Sequence, residues 1–340
     1  MKVLVTGAAG FIGTYLVKEL LAHGHDVVGV DNYSKYGPTR QDCDDHPRYQ
    51  LVVGDAKDSD LLKTLLADCD GFVAGAAMIG GITYFHAYAY DLIAENERIT
   101  AAAFDAAVHA YRTAGLRKIT VISSSMVFEN ATTFPSQEGD QRKCPPPAST
   151  YGFQKLAVEY FAQGAYEQYG MPFSIARPFN CVGIGEKRAR GEEEVFSGNV
   201  KLAMSHVVPD LVQKILKGQD PLHILGGGQQ VRHYTYGGDL ARGIRLCVEH
   251  PNALNEDFNL STATSTTVLE LAELIWTKIH GSAKPFRYTS DKPYAYDVQC
   301  RIPDTTKARE QLGFVADTPL DTILDEVIPW IAEQVELGVI

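Results

Sequence analysis

Short apolar runs alternate with longer amphipathic stretches through the first half of the chain. Residues 2–6 (KVLVT) form a continuous apolar run of strand length. Residues 13–23 follow, with Leu16, Val17, Leu20 and Leu21 on one face at helical spacing and Gly24 as a stop. Further runs at 26–31 (DVVGVD), 49–55 (YQLVVGD), 71–77 (GFVAGAA), 118–124 (KITVISS) and 173–178 (FSIARP) read as strands, and helical patterns fill 89–114 and 150–169. Strands that are apolar throughout belong to a parallel sheet covered on both faces, joined by right-handed helical crossovers.

The pattern loosens after residue 179. Residues 183–203 carry the charged stretch GEKRARGEEE and read as a mobile loop. Helices are expected at 209–217, 267–279 and 320–335, the last with Leu320, Ile323, Leu324, Val327, Ile328 and Ile331 in step. Residues 239–249 read as a return toward the first sheet. The expected division is 1–179, with a return segment near 232–260, and 180–340, mainly 180–231 and 261–340.

At 340 residues and 45% hydrophobic, the chain can bury a sizeable core. No apolar run approaches the roughly 20 residues of a membrane span, so a membrane protein is not expected. Lys and Arg number 31 against 42 Asp and Glu, a formal charge of −11, which disfavours a nucleic-acid binder. The six cysteines are scattered, without C-x-x-C pairs or zinc spacing, so six unpaired thiols and no metal are expected. The N-terminus does not read as a signal peptide, and the expected compartment is the cytoplasm.

Residues 6–13 (TGAAGFIG) lie between the first strand and the first helix. Glycines there allow a tight turn and close backbone approach, and the helix N-terminus offers N–H groups to a pyrophosphate. Asp31 ends the second strand at about the 20-residue offset where an acid takes ribose hydroxyls, and its charge favours NAD over a 2′-phosphorylated cofactor. The expected fold class is therefore α/β, a Rossmann-type doubly wound parallel sheet with a smaller mixed α/β substrate-binding domain. Asp55 ends the third strand similarly; it could meet the adenine or simply make a turn. Tyr151 and Lys155, four apart at the start of a helix, share a face. An ammonium beside a phenol pulls its pKa down, so Tyr151 is a candidate base for a sugar or alcohol hydroxyl, with a surface pair as the bland alternative. Ser123, Ser124 and Ser125 end the fifth strand at the ligand-facing edge of the sheet.

Taken together, T-G-A-A-G-F-I-G, Asp31, S-S-S-M-V-F, Y-G-F-Q-K and R-P-F-N resemble the extended short-chain dehydrogenase/reductase family, in its nucleotide-sugar epimerase/dehydratase branch of UDP-glucose 4-epimerase type. The resemblance implies that Gly7, Gly10 and Gly13 hold NAD, with Phe11 and Ile12 packing the loop, Asp31 and Asn32 at the adenosine ribose, and Asp55 near the adenine. Ala74 and Ala76 stand where relatives carry H-L-A-A beside the cofactor, though the first two positions of that motif differ here. Tyr151 would be the base, Lys155 would hold the nicotinamide ribose, and Ser124 would orient the substrate hydroxyl. Phe128 replaces the usual Tyr of S-x-x-V-Y. Asn180 and Arg232 resemble residues that contact the substrate diphosphate. Ser125, Met126 and Tyr84 would face the sugar, with His86 beside them, while His206, Val207 and Arg301 resemble positions of GDP-sugar enzymes. A homodimer paired through the helices at 89–114 and 150–169 is also implied.

Dehydratases and decarboxylases of the branch resemble S/T-D-E-V-Y or S-E-V-Y, with an acid just before the Val; GDP-sugar epimerases carry a Cys there. This chain has Met126, which neither gives nor takes a proton. The remaining set of Tyr151, Lys155, Ser124 and NAD suits epimerisation of a nucleotide-diphosphate sugar at carbon 4 through a 4-keto intermediate. Alternatives are a GDP-sugar-type epimerase/reductase, a dehydratase, or a non-catalytic NAD sensor. The nucleotide base and the sugar stay open.

Overall fold

The computed structural model describes residues 1–80, 88–186, 206–293 and 298–339, with the strands Val195–Ser197 and Val200–Leu202 as backbone. Seven strands form one parallel sheet: β1 (Lys2–Thr6), β2 (Asp26–Asp31), β3 (Tyr49–Val53), β4 (Gly71–Ala74), β5 (Lys118–Ile122), β6 (Phe173–Pro178) and β7 (Glu256–Leu260). Their order across the sheet is β7-β6-β5-β4-β1-β2-β3. From β1 the chain winds out through β2 and β3, then crosses back to β4 on the other side. That reversal opens a crevice at the carboxyl ends of β1 and β4, the place where such sheets bind ligands.

The described helices are α1 (Phe11–Ala22), α2 (Ser59–Leu66), α3 (Ala89–Thr113), α4 (Thr150–Tyr169), α5 (Val207–Leu216), α6 (Gly237–Glu249), α7 (Val268–His280), α8 (Thr306–Leu312) and α9 (Leu320–Glu336). Alternate strand residues feed opposite faces of the sheet. Val3 and Val5 pack with Leu16 and Leu20 of α1, Leu240 and Ile244 of α6, and Phe258 of β7. Leu4 and Phe72 pack on the other face with Leu62 and Leu66 of α2, Ala103 and Ala107 of α3, and Val158 and Ala162 of α4. Each such buried Leu, Val or Phe contributes roughly 2 kcal/mol, so the sheet is the rigid platform of the crevice.

Besides α6, which fills the stretch read only as a return to the sheet, two of the described helices lie outside the sequence expectation. In α2, Asp58 accepts from the Asp60 and Leu61 N–H groups at 3.1 and 3.0 Å, and Leu62 and Leu66 turn inward. Eight residues are too few to display a helical period, so the cap and the packing decide. The other is α8, whose Ala308 and Leu312 pack in the sheet's first cluster. The crossover from β2 to β3 shows the reverse, since residues 32–48 carry no helix. Three expected strands are shorter than read: β3 ends at Val53, β4 at Ala74 and β5 at Ile122.

A separate core joins Val208, Leu211, Leu222, Ile224, Leu271, Trp276, Leu324 and Ile331, built by α5, α7 and α9. The chain returns through α6 and β7 to the sheet. The expected loop at 183–203 lies largely outside the described residues; within it, Val195–Ser197 and Val200–Leu202 pair antiparallel. All six thiols are free. No helix among the described residues is long and apolar enough to cross a membrane.

Candidate active site

The loop after β1 is shaped by its own backbone. Gly10 N–H donates to Gly7 O at 3.1 Å, and Gly7 itself has φ +74, in the left-handed region. A Cβ on Gly13 would lie 2.0 Å from Gly7 O, so only glycine lets the helix start this close to the turn. The cap of α1 has no side-chain hydrogen bond and its first turn holds no acid. Its leading N–H groups and the positive end of the helix dipole therefore face the crevice for an anion. Asp31, at the end of β2, accepts from Ala9 N at 3.1 Å and Tyr33 N at 2.8 Å. Burial pushes its carboxyl up, and those two bonds pull it down. An anion cradle with a carboxylate at its far side fits a dinucleotide without a 2′-phosphate.

The neighbouring positions divide by what holds them. Phe11 meets Tyr15 edge-on at 5.8 Å, and Ile12 packs on the first cluster. Thr6 Oγ1 accepts from Gly75 N and Ala76 N at 3.2 and 3.3 Å, tying the ends of β1 and β4 together between Ala74 and Ala76. Asn32 accepts from Ser34 N at 3.0 Å. Asp55 accepts from Lys57 N at 2.9 Å and pairs with its ammonium at 3.5 Å, a turn in the described structure. One residue had no sequence signal: buried Asn96 accepts from Met78 N at 2.7 Å and donates to Met78 O at 2.9 Å, pinning the segment after β4 onto α3.

Ser149 caps α4, accepting from Gly152 N at 3.0 Å while its hydroxyl donates to Glu129 at 2.8 Å. This fixes the first turn, which carries Tyr151. The Tyr151 ring is wedged among Leu92, Met126, Val298 and Ile79. Ser124 lies beside its hydroxyl and pulls the phenol down, and itself accepts from Met126 N at 3.2 Å. Lys155 is buried one turn on, its Nζ donating to Ile122 O at 2.8 Å and standing 6.0 Å from the Tyr151 ring centre. Tyr151, Lys155 and Ser124 thus come together at the carboxyl end of β5.

The electrostatics differ from the sequence expectation. Burial dominates at Tyr151 and pushes the phenol above its ordinary value; Ser124 and the Arg301 guanidinium pull it back. Burial also lowers Lys155 to about 8. The lysine's charge is directed to a backbone carbonyl, and Arg301 is the cation that acts on the phenol in this structure.

On the substrate side, Ser125 and Met126 are buried in the turn after β5. Asn180 has φ +37, is held through Thr235 N to its carbonyl at 3.0 Å, and leaves its buried Nδ2 with no hydrogen-bond partner among the described residues. Arg232 Nη1 donates to Val231 O at 2.9 Å and approaches Gln299 O at 3.4 Å. Arg301 N–H donates to Val231 O at 3.3 Å. Both guanidinium groups act on the buried Tyr234 phenol, whose oxygen lacks a hydrogen-bond partner among the described residues. Tyr234 was not singled out from the sequence; its neighbour Arg232 was the only signal. His206 pairs with Glu186, and Val207 packs on the core of α5, α7 and α9. Tyr84 and His86 lie outside the described residues.

A switch-point glycine loop beside a buried Tyr, Lys and Ser group defines a dinucleotide-dependent α/β enzyme. The chain belongs to the NAD dependent epimerase/dehydratase family, which matches over residues 3–261, and NAD is the cofactor of that family. It is 27% identical over 338 residues to a UDP-N-acetyl-alpha-D-glucosaminuronate decarboxylase of Bacillus cytotoxicus, covering 98% of both chains. It is 28% identical to a UDP-glucose 4-epimerase of Lacticaseibacillus casei, over 97% of this chain and 96% of that one. Among solved structures, the UDP-glucuronic acid 4-epimerase of Bacillus cereus with UDP-glucuronic acid and NAD is similar at TM-score 0.79 and 26% identity, over 98% of this chain and 99% of that one.

Proposed function

We propose that this enzyme epimerises a nucleotide-diphosphate sugar at carbon 4. The observation that carries the reading is the buried Tyr151 phenol facing Ser124, with Lys155 one turn on and Met126 where an acid would serve elimination or decarboxylation chemistry. Gly7, Gly10 and Gly13 would hold the pyrophosphate, Asp31 would take the adenosine ribose, and Lys155 would hold the nicotinamide ribose. Bound NAD supplies the hydride acceptor and donor, and a positive ring charge that favours a phenolate. Tyr151 takes the 4-hydroxyl proton as the carbon–hydrogen bond at carbon 4 breaks, and Ser124 holds the same oxygen. Once the 4-keto sugar presents its other face, the phenol returns its proton. The orphaned amide of Asn180 and the Arg232 guanidinium support a diphosphate subsite. Most of the rate gain on this reading comes from positioning.

The test is incubation of the protein, without added cofactor, with UDP-, dTDP-, GDP- and CDP-sugars, uronic acids included, and product analysis by NMR and mass. A product of unchanged mass inverted at carbon 4 is expected. Loss of water would mark a dehydratase, loss of carbon dioxide a decarboxylase, and stoichiometric consumption of added NADH a reductase; binding of NAD without any product would mark a sensor.

On this reading residues 1–179 with the return near 232–260 would hold NAD, and 180–231 with 261–340 the sugar nucleotide, although Ala308, Leu312, Phe314 and Ala316 pack with the sheet's core. The free thiols support a reducing compartment, the cytoplasm. A homodimer is supported by an apolar hollow on the outer face of α4, lined by Phe153, Leu156, Ala157, Tyr160 and Phe161. Tyr160 is 58% exposed, and such a contiguous apolar patch favours a partner surface. Tyr160→Asp is expected to convert a dimer to monomer on light scattering, without loss of bound NAD; a variant that remains dimeric would remove this face from the interface.

A further inference from the structure

Three successive residues at the end of β5 hold three residues spaced along one face of α4. Ile122 O accepts from Lys155 Nζ at 2.8 Å, Ser124 faces the Tyr151 phenol, and Ser123 Oγ donates to Glu159 Oε1 at 2.6 Å. The first two contacts belong to the proposed chemistry. The third has no part in it, yet it is the more heavily constrained. Glu159 is 3% exposed, and Arg177 of β6 is fully buried. Arg177 grips both carboxylate oxygens, Nε to Oε1 at 2.6 Å and Nη2 to Oε2 at 2.8 Å. Gln141 donates to Oε2 at 3.1 Å. Behind them, Asp257 of β7 takes Arg177 Nη2 at 2.5 Å and Lys307 of α8 at 3.0 Å, and Glu138 lies within the field of Arg177 and Lys307.

A buried ion pair is weak evidence for stability, because an apolar pair of similar volume serves as well or better. What the carboxylate adds is direction. Ser123 Oγ also lies 3.3 Å from Lys155 O. It has one hydrogen to give, and the charged acceptor at 2.6 Å takes it. Without that acceptor the hydroxyl keeps only the 3.3 Å contact to the helix backbone, a weaker tie between the end of β5 and α4.

We propose that Glu159, clamped by Arg177, is a positioning residue. It sets the register of α4 against the end of β5, and thereby holds Ser124 on Tyr151 and Ile122 on Lys155. This rests on Tyr151 being the proton acceptor.

The sign of one measurement separates positioning from charge. In NAD-loaded protein, the Tyr151 phenolate is titrated by ultraviolet absorbance as the difference from Tyr151→Phe. Among the described residues, Ser124, Lys155 and Arg301 face the phenol. Glu159→Gln removes a negative charge and leaves Arg177 in excess, so a purely electrostatic role lowers the Tyr151 midpoint. A positioning role moves Ser124 away from the phenol and raises it, by about one pH unit, with kcat about tenfold lower and KM within about twofold. A midpoint unchanged or lowered overturns the proposal. Should the Gln variant not fold, Glu159→Leu with Arg177→Met keeps an apolar pair of similar volume; it too must raise the midpoint, and wild-type titration in that protein overturns the proposal equally. The titration needs no sugar, so a panel without products would overturn the proposed reaction and leave this result standing.

Discussion

Tyr151→Phe is expected to lower kcat by about 10³-fold or more, while the purified protein still carries NAD. The ring is packed among Leu92, Met126, Val298 and Ile79, and Phe fills the same space without a cavity. The change removes one oxygen, the one that Ser124 faces. A general base contributes roughly 10²–10⁴-fold to such a reaction, and here the same group must also return the proton, so the upper part of that range applies. Apart from Lys155, which the substitution leaves in place, the proposed cofactor contacts lie elsewhere: Gly7, Gly10 and Gly13 sit after β1, and Asp31 ends β2. NAD stoichiometry after gel filtration, thermal unfolding and product formation by NMR together check the result. Turnover retained in the variant would refute Tyr151 as the base; NAD lost with turnover would mean that the ring, not its oxygen, mattered.

The parts of this site that were legible in the sequence are those whose physics is local. The glycine loop is a run of eight residues whose turn and helix start are set by neighbours, and a buried parallel strand announces itself by continuous apolarity. Tyr151 and Lys155 were legible because helical spacing alone puts them on one face. The illegible parts depend on partners far along the chain. Asn96 pins Met78 from the next helix, and Arg177 meets Asp257 across two strands distant in sequence. No periodicity carries such pairings. The electrostatics of Tyr151 failed for the same reason. The i, i+4 spacing brings Lys155 near, but it says nothing of Ile122 O, which takes the ammonium, nor of burial, which moves Tyr151 away from the phenolate and Lys155 away from the ammonium.

That opposition can be measured directly. Lys155→Met is expected to raise the stability of NAD-free protein at pH 7 by about 2 kcal/mol while lowering kcat about 10²-fold. Burial lowers the Lys155 ammonium from 10.5 to about 8. At pH 7 it is charged in both folded and unfolded chains, and the folded state bears the full cost of keeping that charge out of water. With each pH unit of lowering worth roughly 1.4 kcal/mol, that cost is about 3 kcal/mol. Losing the bond to Ile122 O returns about 1 kcal/mol of it. Between pH 8 and about 10 the folded protein sheds the proton and the unfolded chain keeps it, so the unfolded state binds more protons and wild-type stability rises with pH. Lys118, also lowered to about 8 by burial, adds the same trend to both proteins and cancels in the difference. The variant's advantage should therefore shrink by about 2–3 kcal/mol from pH 8 to pH 10, read from urea unfolding of both proteins at each pH. A difference that stays flat across that window would mean that the ammonium is solvated in the folded chain, and that its hold on Ile122 O is not the contact that aligns α4 with β5.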